Sequence, residues 1–173
     1  MINNTFKILV LLLISFPFTS CVKDLADIDF STDITESFDV HINQNQEYIS
    51  QSITLSLDNN DTHDYLDNIK EVSITELTYR VTNFTGDQTG TINVEFASDG
   101  SVLLLNDFNV KQANDNGTIY QVTEVSQLNL IANALKNNQQ VNFSILGECA
   151  ALADAMDFKI EVTVKLDVVA NPI

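Results

Sequence analysis

Near the carboxyl end lies FKIEVTVKLDV, Phe158 to Val168, and its reading decides the fold. Phe158, Ile160, Val162, Val164, Leu166 and Val168 alternate without error with Lys159, Glu161, Thr163, Lys165 and Asp167. A period of two places successive side chains on opposite faces of a strand, so one face meets a core and the other meets water. Such a pattern belongs to antiparallel sheets with one wet face, not to buried parallel ones.

Working outward, the same period recurs. Phe38, Val40 and Ile42 share one face of a first strand, with Asp39 and His41 on the other. Ile49, Ile53, Leu55 and Leu57 mark a second. Val72 and Ile74 start a third that resumes one step out of phase at Leu77, Tyr79 and Val81, as a β-bulge at Thr75-Glu76 would produce. Ile92, Val94 and Phe96 form a fourth. Asp99-Gly100 is a good hairpin turn before the apolar run Val102 to Leu105, and Val141, Phe143 and Ile145 follow. Two stretches read as helices. Asp61 to Glu71 has Asp61 and Thr62 as possible caps and Tyr65, Leu66 and Ile69 on one side. Thr123 to Asn137 has Thr123 as cap and places Val125, Leu128, Ile131 and Leu135 on one face.

These elements predict a mainly β protein: an antiparallel β-sandwich, immunoglobulin-like or related, with two short helices. The 173 residues leave room for one such domain, and no repeat or internal linker divides 35–173.

The first residues follow another logic. Lys7 is the only charged side chain among the first 20, and the apolar core ILVLLLISFPF runs from Ile8 to Phe18. That is shorter than the roughly 20 residues needed to span a bilayer and matches the ~7–15-residue core of a secretory signal. It ends in Phe18-Thr19-Ser20-Cys21, which resembles a bacterial lipobox, with Phe18 where that family most often has Leu. The resemblance covers about the first 21 residues and implies cleavage before Cys21, acylation of its thiol with diacylglycerol, and usually acylation of the new amino terminus with a fatty acid such as palmitate. Two or more acyl chains anchor stably where one anchors marginally. Residues 1–20 are therefore expected to be a cleaved signal peptide, 21–34 a lipidated acidic tether, and 35–173 the folded domain. The Lys23-Asp24 and Asp27 that follow, and the Asn-rich, Arg-poor style of the chain, are similar to lipoproteins of the Bacteroidota outer membrane. This implies a cell-envelope location on either face of that membrane.

Composition narrows function further. Asp and Glu number 24 against 8 Lys and Arg, for a formal net charge of −16. The seven cations beyond Lys7 are scattered from Lys23 to Lys165, which excludes a phosphate-binding patch and with it nucleic acid. No GxSxG, GxGxxG, Walker loop or HExxH occurs, so neither a catalytic residue nor a cofactor is expected. If Cys21 is acylated, Cys149 has no disulfide partner; with Glu148 and Asp154 nearby it reads as a buried, inert thiol. His63 among Asp58, Asp61, Asp64 and Asp67 is the one stretch with metal-ligand chemistry, but carboxylates also suit a helix start unaided. Asp24, Asp27, Asp29 and Asp33 read as a solvated linker. Trp is absent, leaving Tyr48, Tyr65, Tyr79 and Tyr120 as possible stacking platforms. No metal ligand is assigned, and Cys21, the lipid attachment point, is the one site residue. The expectation is a lipid-anchored, non-enzymatic binding, assembly or structural module with a possible protein partner in the envelope. The alternative is a small-ligand or cation-binding lipoprotein.

Overall fold

The computed structural model describes residues 26–172, apart from 88, 99–100 and 150–151 and the side chains of 101 and 102. Its strands are β1 (Ile28–Ile42), β2 (Tyr48–Ser56), β3 (Ile69–Gly86), β4 (Thr91–Ala97), β5 (Ser101–Asn109), β6 (Ile119–Gln121), β7 (Gln140–Cys149) and β8 (Met156–Ala170). Two α-helices, α1 (Val110–Asn116) and α2 (Val125–Asn138), flank β6, and a 3-10 helix spans His63–Asn68.

The strands form two four-stranded antiparallel sheets, β1-β8-β3-β6 and β2-β7-β4-β5. Strand one pairs with eight, two with seven, three with six and four with five. The chain is thus a long hairpin folded onto itself and closed by β8–β3 and β7–β4 pairing. Within the sandwich class this is the order of a jelly roll rather than of an immunoglobulin sheet pair.

Alternation explains the core. Every second residue of β8, from Met156 to Ala170, is buried, and these side chains face Phe143, Ile145, Ile92 and Leu55 from the other sheet. Phe38, Phe96, Tyr79, Tyr120 and Phe108 form a continuous aromatic chain through the interior. Tyr79 and Tyr120 are stacked at 4.9 Å, and burial raises the Tyr79 phenol above its ordinary range. The register of β3 slips between Ile74 and Glu76, where the phase of the sequence changes.

Several elements differ from expectation. The segment read as a tether joins the sheet at Ile28: Ile28–Ile34 pairs with Val164–Ala170, and Asp29 and Asp33 lie on the wet face of β1. Asp24, like Cys21 and the whole signal segment, lies outside the described residues. Asp61–Glu71 is not an α-helix but a six-residue 3-10 helix, His63–Asn68, that gives way to β3 at Ile69. Asn59 captures the backbone N–H groups of Asp61 and Thr62, and the buried Thr62 hydroxyl donates to the Leu57 carbonyl instead of capping. Local side-chain bonds of this kind compete with helix formation. In α2 the N-cap is Glu124, not Thr123. Ile131 and Leu135 are buried and Leu128 is half-buried, while Val125 stands in solvent. α1 and β6 were not expected.

β1 is a 15-residue edge strand. At Glu36 its alternation places a charged side chain where a core residue would sit, and that side chain remains exposed. An inward-pointing charge on an edge discourages pairing with another chain.

The connections gather at two ends. One holds the β1 start and the β2–β3, β4–β5 and β6–β7 connections; the other holds β1–β2, β3–β4, β5–β6 and β7–β8. At the second end Asp87 fastens two loops, accepting from the Thr89 backbone and hydroxyl and from the backbone of Ala153 and Asp154. These bonds, those to Thr89 first, lower its pKa from 3.8 to about 2. A depressed folded pKa means stability that is present above 3.8 and disappears as pH falls toward 2. Asp87→Asn should therefore be less stable than wild type at pH 6 by urea denaturation, and the two curves should converge between pH 4 and pH 2.

Candidate interaction surface

The outer faces of the two sheets are chemically opposite. On β1-β8-β3 four ion pairs join outward residues directly across the register, while among the described residues Asp29, Asp33 and Glu71 have no ion pair. Lys159 pairs with Asp39 at 2.8 Å, Arg80 with Glu161 at 2.6 Å, and Lys165 with Glu76 at 3.2 Å. His41 Nδ1 lies 2.5 Å from Asp157, and its Nε2 lies 3.1 Å from Asn43. Its pKa is raised, first by the Asp157 hydrogen bond. Ser31 donates to Asp167, and the Thr35 and Thr163 hydroxyls meet at 3.0 Å. Exposed pairs of this kind each contribute about 0–1 kcal/mol. Their consequence here is a face whose cations are already taken by its own carboxylates.

On β2-β7-β4-β5 no strand carries a Lys, Arg or His. The register sets Ser50, Leu146, Glu95 and Leu104 in one row across all four strands. Leu104 is 64% and Leu146 46% exposed, about 10 Å apart across the half-buried Glu95. The adjacent row holds Tyr48, Glu148 and Asn93, with Tyr48 65% exposed. Among the described residues neither Glu95 nor Glu148 has an ion pair. The run Val102–Leu105 read as continuously apolar resolves here: Leu103 and Leu105 pack against the core while Leu104 turns outward.

Of the four tyrosines, Tyr79 and Tyr120 are consumed by stacking in the core, and Tyr65 packs on Phe30 at 5.4 Å. Tyr48 stands free at the rim of a polar groove of about 370 Å³ formed by the β1–β2 connection with Glu148 and Cys149. The groove walls are occupied with each other: Gln44 donates to the Ala153 carbonyl, Gln46 to the Tyr48 carbonyl, and the Cys149 N–H to Glu47.

The other sequence candidates disperse. His63 pairs with Asp58 at 2.7 Å, which raises the imidazole pKa. Asp61 instead accepts from Thr32. Asp27 meets Lys70 at 2.6 Å. Among the described residues, no three His, Cys, Asp or Glu side chains converge on a point where a metal could sit. Cys149 is half-buried rather than fully enclosed and packs against the core, and desolvation raises its thiol pKa; neighbouring carboxylates are not the cause. Among the described residues no helix is long and apolar enough to cross a membrane.

No protein family matches this sequence, and no curated protein does. Two crystal structures of the BFDV capsid protein are similar in shape. The decameric form is 11% identical with a TM-score of 0.42, over 82% of this chain and 99% of that one. The 60-mer form is 8% identical with a TM-score of 0.37, over 85% and 96%. A likeness at this level says nothing of function.

Proposed function

We propose that this chain is a lipid-anchored bacterial envelope protein that works by contact rather than catalysis, with the outer face of β2-β7-β4-β5 as its working surface. The observation that carries this reading is the contrast between the sheets: one face pairs its cations with its own carboxylates, and the other exposes leucines beside carboxylates with no cation on any of its strands. Exposed apolar groups rimmed by polar ones mark interaction sites. The anchor rests on the lipobox resemblance of Phe18-Thr19-Ser20-Cys21. Between Cys21 and β1 lie only Val22 to Asp27, which span at most about 20 Å when fully extended. Acylated at Cys21, the domain would stand close to the lipid, with the Asp87 end pointing away. Outer membrane is the location we favour.

A second reading, a small polar ligand in the groove beside Tyr48, is favoured by the space there. It is weakened because Gln44 and Gln46 of that wall already donate to the Ala153 and Tyr48 carbonyls.

Thiol protection tests the contact reading. Leu146→Cys and Asp33→Cys are each made in a Cys149→Ser chain and treated with a bulky maleimide, in intact envelopes and after detergent extraction. Position 146 should label far more slowly in envelopes, and position 33 equally in both. Equal labelling at 146 would contradict the proposal.

A further inference from the structure

We infer that the outer face of β2-β7-β4-β5 docks a protein partner that presents arginine or lysine among aliphatic side chains, with Glu95 as the central acceptor. This rests on the contact reading above and adds the chemistry of the partner. Glu95 holds the central position on this face. It is flanked in register by Leu146 on one side and Leu104 on the other, and none of the four strands supplies it a cation. Any body that covers the two leucines also strips water from the carboxylate between them. A desolvated, unpaired carboxylate would cancel the gain from the leucines, so a tight partner must bring a positive charge to that point. A guanidinium fits best: it is planar, takes a carboxylate through two parallel hydrogen bonds, and packs its faces on aliphatic groups. Glu148 in the next row adds a second acceptor on the same face.

The same reasoning excludes other occupants. A second copy docking by the same face brings its own Glu95 and Glu148, with no Lys or Arg on that face to answer them. Anionic lipid headgroups are repelled for the same reason. Like charges brought together at an interface suppress the wrong partner as effectively as unlike charges select the right one.

The test uses the full-length chain in the cells that produce it, with photo-crosslinking benzoylphenylalanine at Leu104 or, as control, at Asp33 on the opposite sheet. The Leu104 probe should give a protein adduct that the Asp33 probe does not, and the crosslinked partner peptide should carry Arg or Lys. Glu95→Lys should lower adduct yield about tenfold or more, with Glu95→Gln intermediate and both variants melting like wild type. An adduct of twice the chain mass would overturn the inference in favour of self-association. An adduct untouched by Glu95→Lys, or a partner peptide lacking cations, would overturn the chemistry while leaving the contact reading intact. Thiol protection at position 146 without any protein adduct would point to a non-protein ligand and overturn the inference. Loss of both signals would remove the contact reading itself.

Discussion

Gly86→Ala should destabilise the protein by about 3–5 kcal/mol and lower its urea midpoint by roughly 2 M. Gly86 ends β3 with φ +102°, outside the range that residues with a Cβ adopt comfortably. A Cβ built there would meet the Ala155 carbonyl oxygen at 2.0 Å and the Met156 Cα at 2.7 Å. Both obstacles are backbone, so no rotamer change relieves them. The end of the β3–β8 ladder must open, at a point where Met156 is fully buried. Opening it also disturbs the neighbouring Asp87, whose N–H donates to the same Ala155 carbonyl and whose carboxylate fastens the β7–β8 loop. Gly117→Ala is the matched control. Gly117 closes α1 with φ +58° and has no atom within 4 Å of a built Cβ, so only the left-handed backbone cost of about 1–2 kcal/mol remains. Equal effects for the two variants would contradict the packing described at the β3–β4 turn.

Cys21→Ser should abolish incorporation of labelled palmitate. A serine hydroxyl cannot receive the diacylglyceryl group that the lipobox resemblance assigns to the thiol. The fold should survive, because the first paired residue, Ile28, lies beyond the anchor. Urea denaturation should therefore give the wild-type midpoint, which separates loss of anchoring from loss of structure. Labelling that persists in Cys21→Ser would remove the lipobox reading.

How far the fold could be read from the residues depended on whether periodicity or local hydrogen bonding controlled each segment. Phe158–Val168 announces β8, and the phase change at Thr75-Glu76 locates the bulge, because alternating burial leaves a direct trace in residue order. The start of β1 is hidden because Asp27, Asp29 and Asp33 give it the composition of a charged linker. In fact Ile28, Phe30 and Ile34 alternate with them, and the acids occupy the wet face. The apolar side chains at 61–71 also fit an α-helix, yet Asn59 and Thr62 bind nearby backbone and only six residues of 3-10 helix form. α1 is seven residues long and buries only Val110 and Ala113, too few to show a period. Its signals were instead the caps: the Asn109 side chain accepts from the Gln112 N–H, and Gly117 closes the end.

The interaction surface was the least legible feature. Leu104 sits inside an apolar run and Leu146 follows Ile145 on a core strand, so in sequence both look like ordinary core residues. Only the pairing of β5 with β4 and of β4 with β7 places them in one row around Glu95. The ion pairs of the opposite sheet join residues as far apart as Asp39 and Lys159. Such cross-strand complementarity depends on register, which composition does not carry.

The account stands most directly on the state of Cys21. The intact mass of the protein purified from membranes in detergent should correspond to a chain beginning at Cys21, with residues 1–20 absent and a diacylglyceryl group on the thiol. A mass corresponding to an uncleaved chain beginning at Met1, or to a cleaved chain with an unmodified Cys21 thiol, would contradict it.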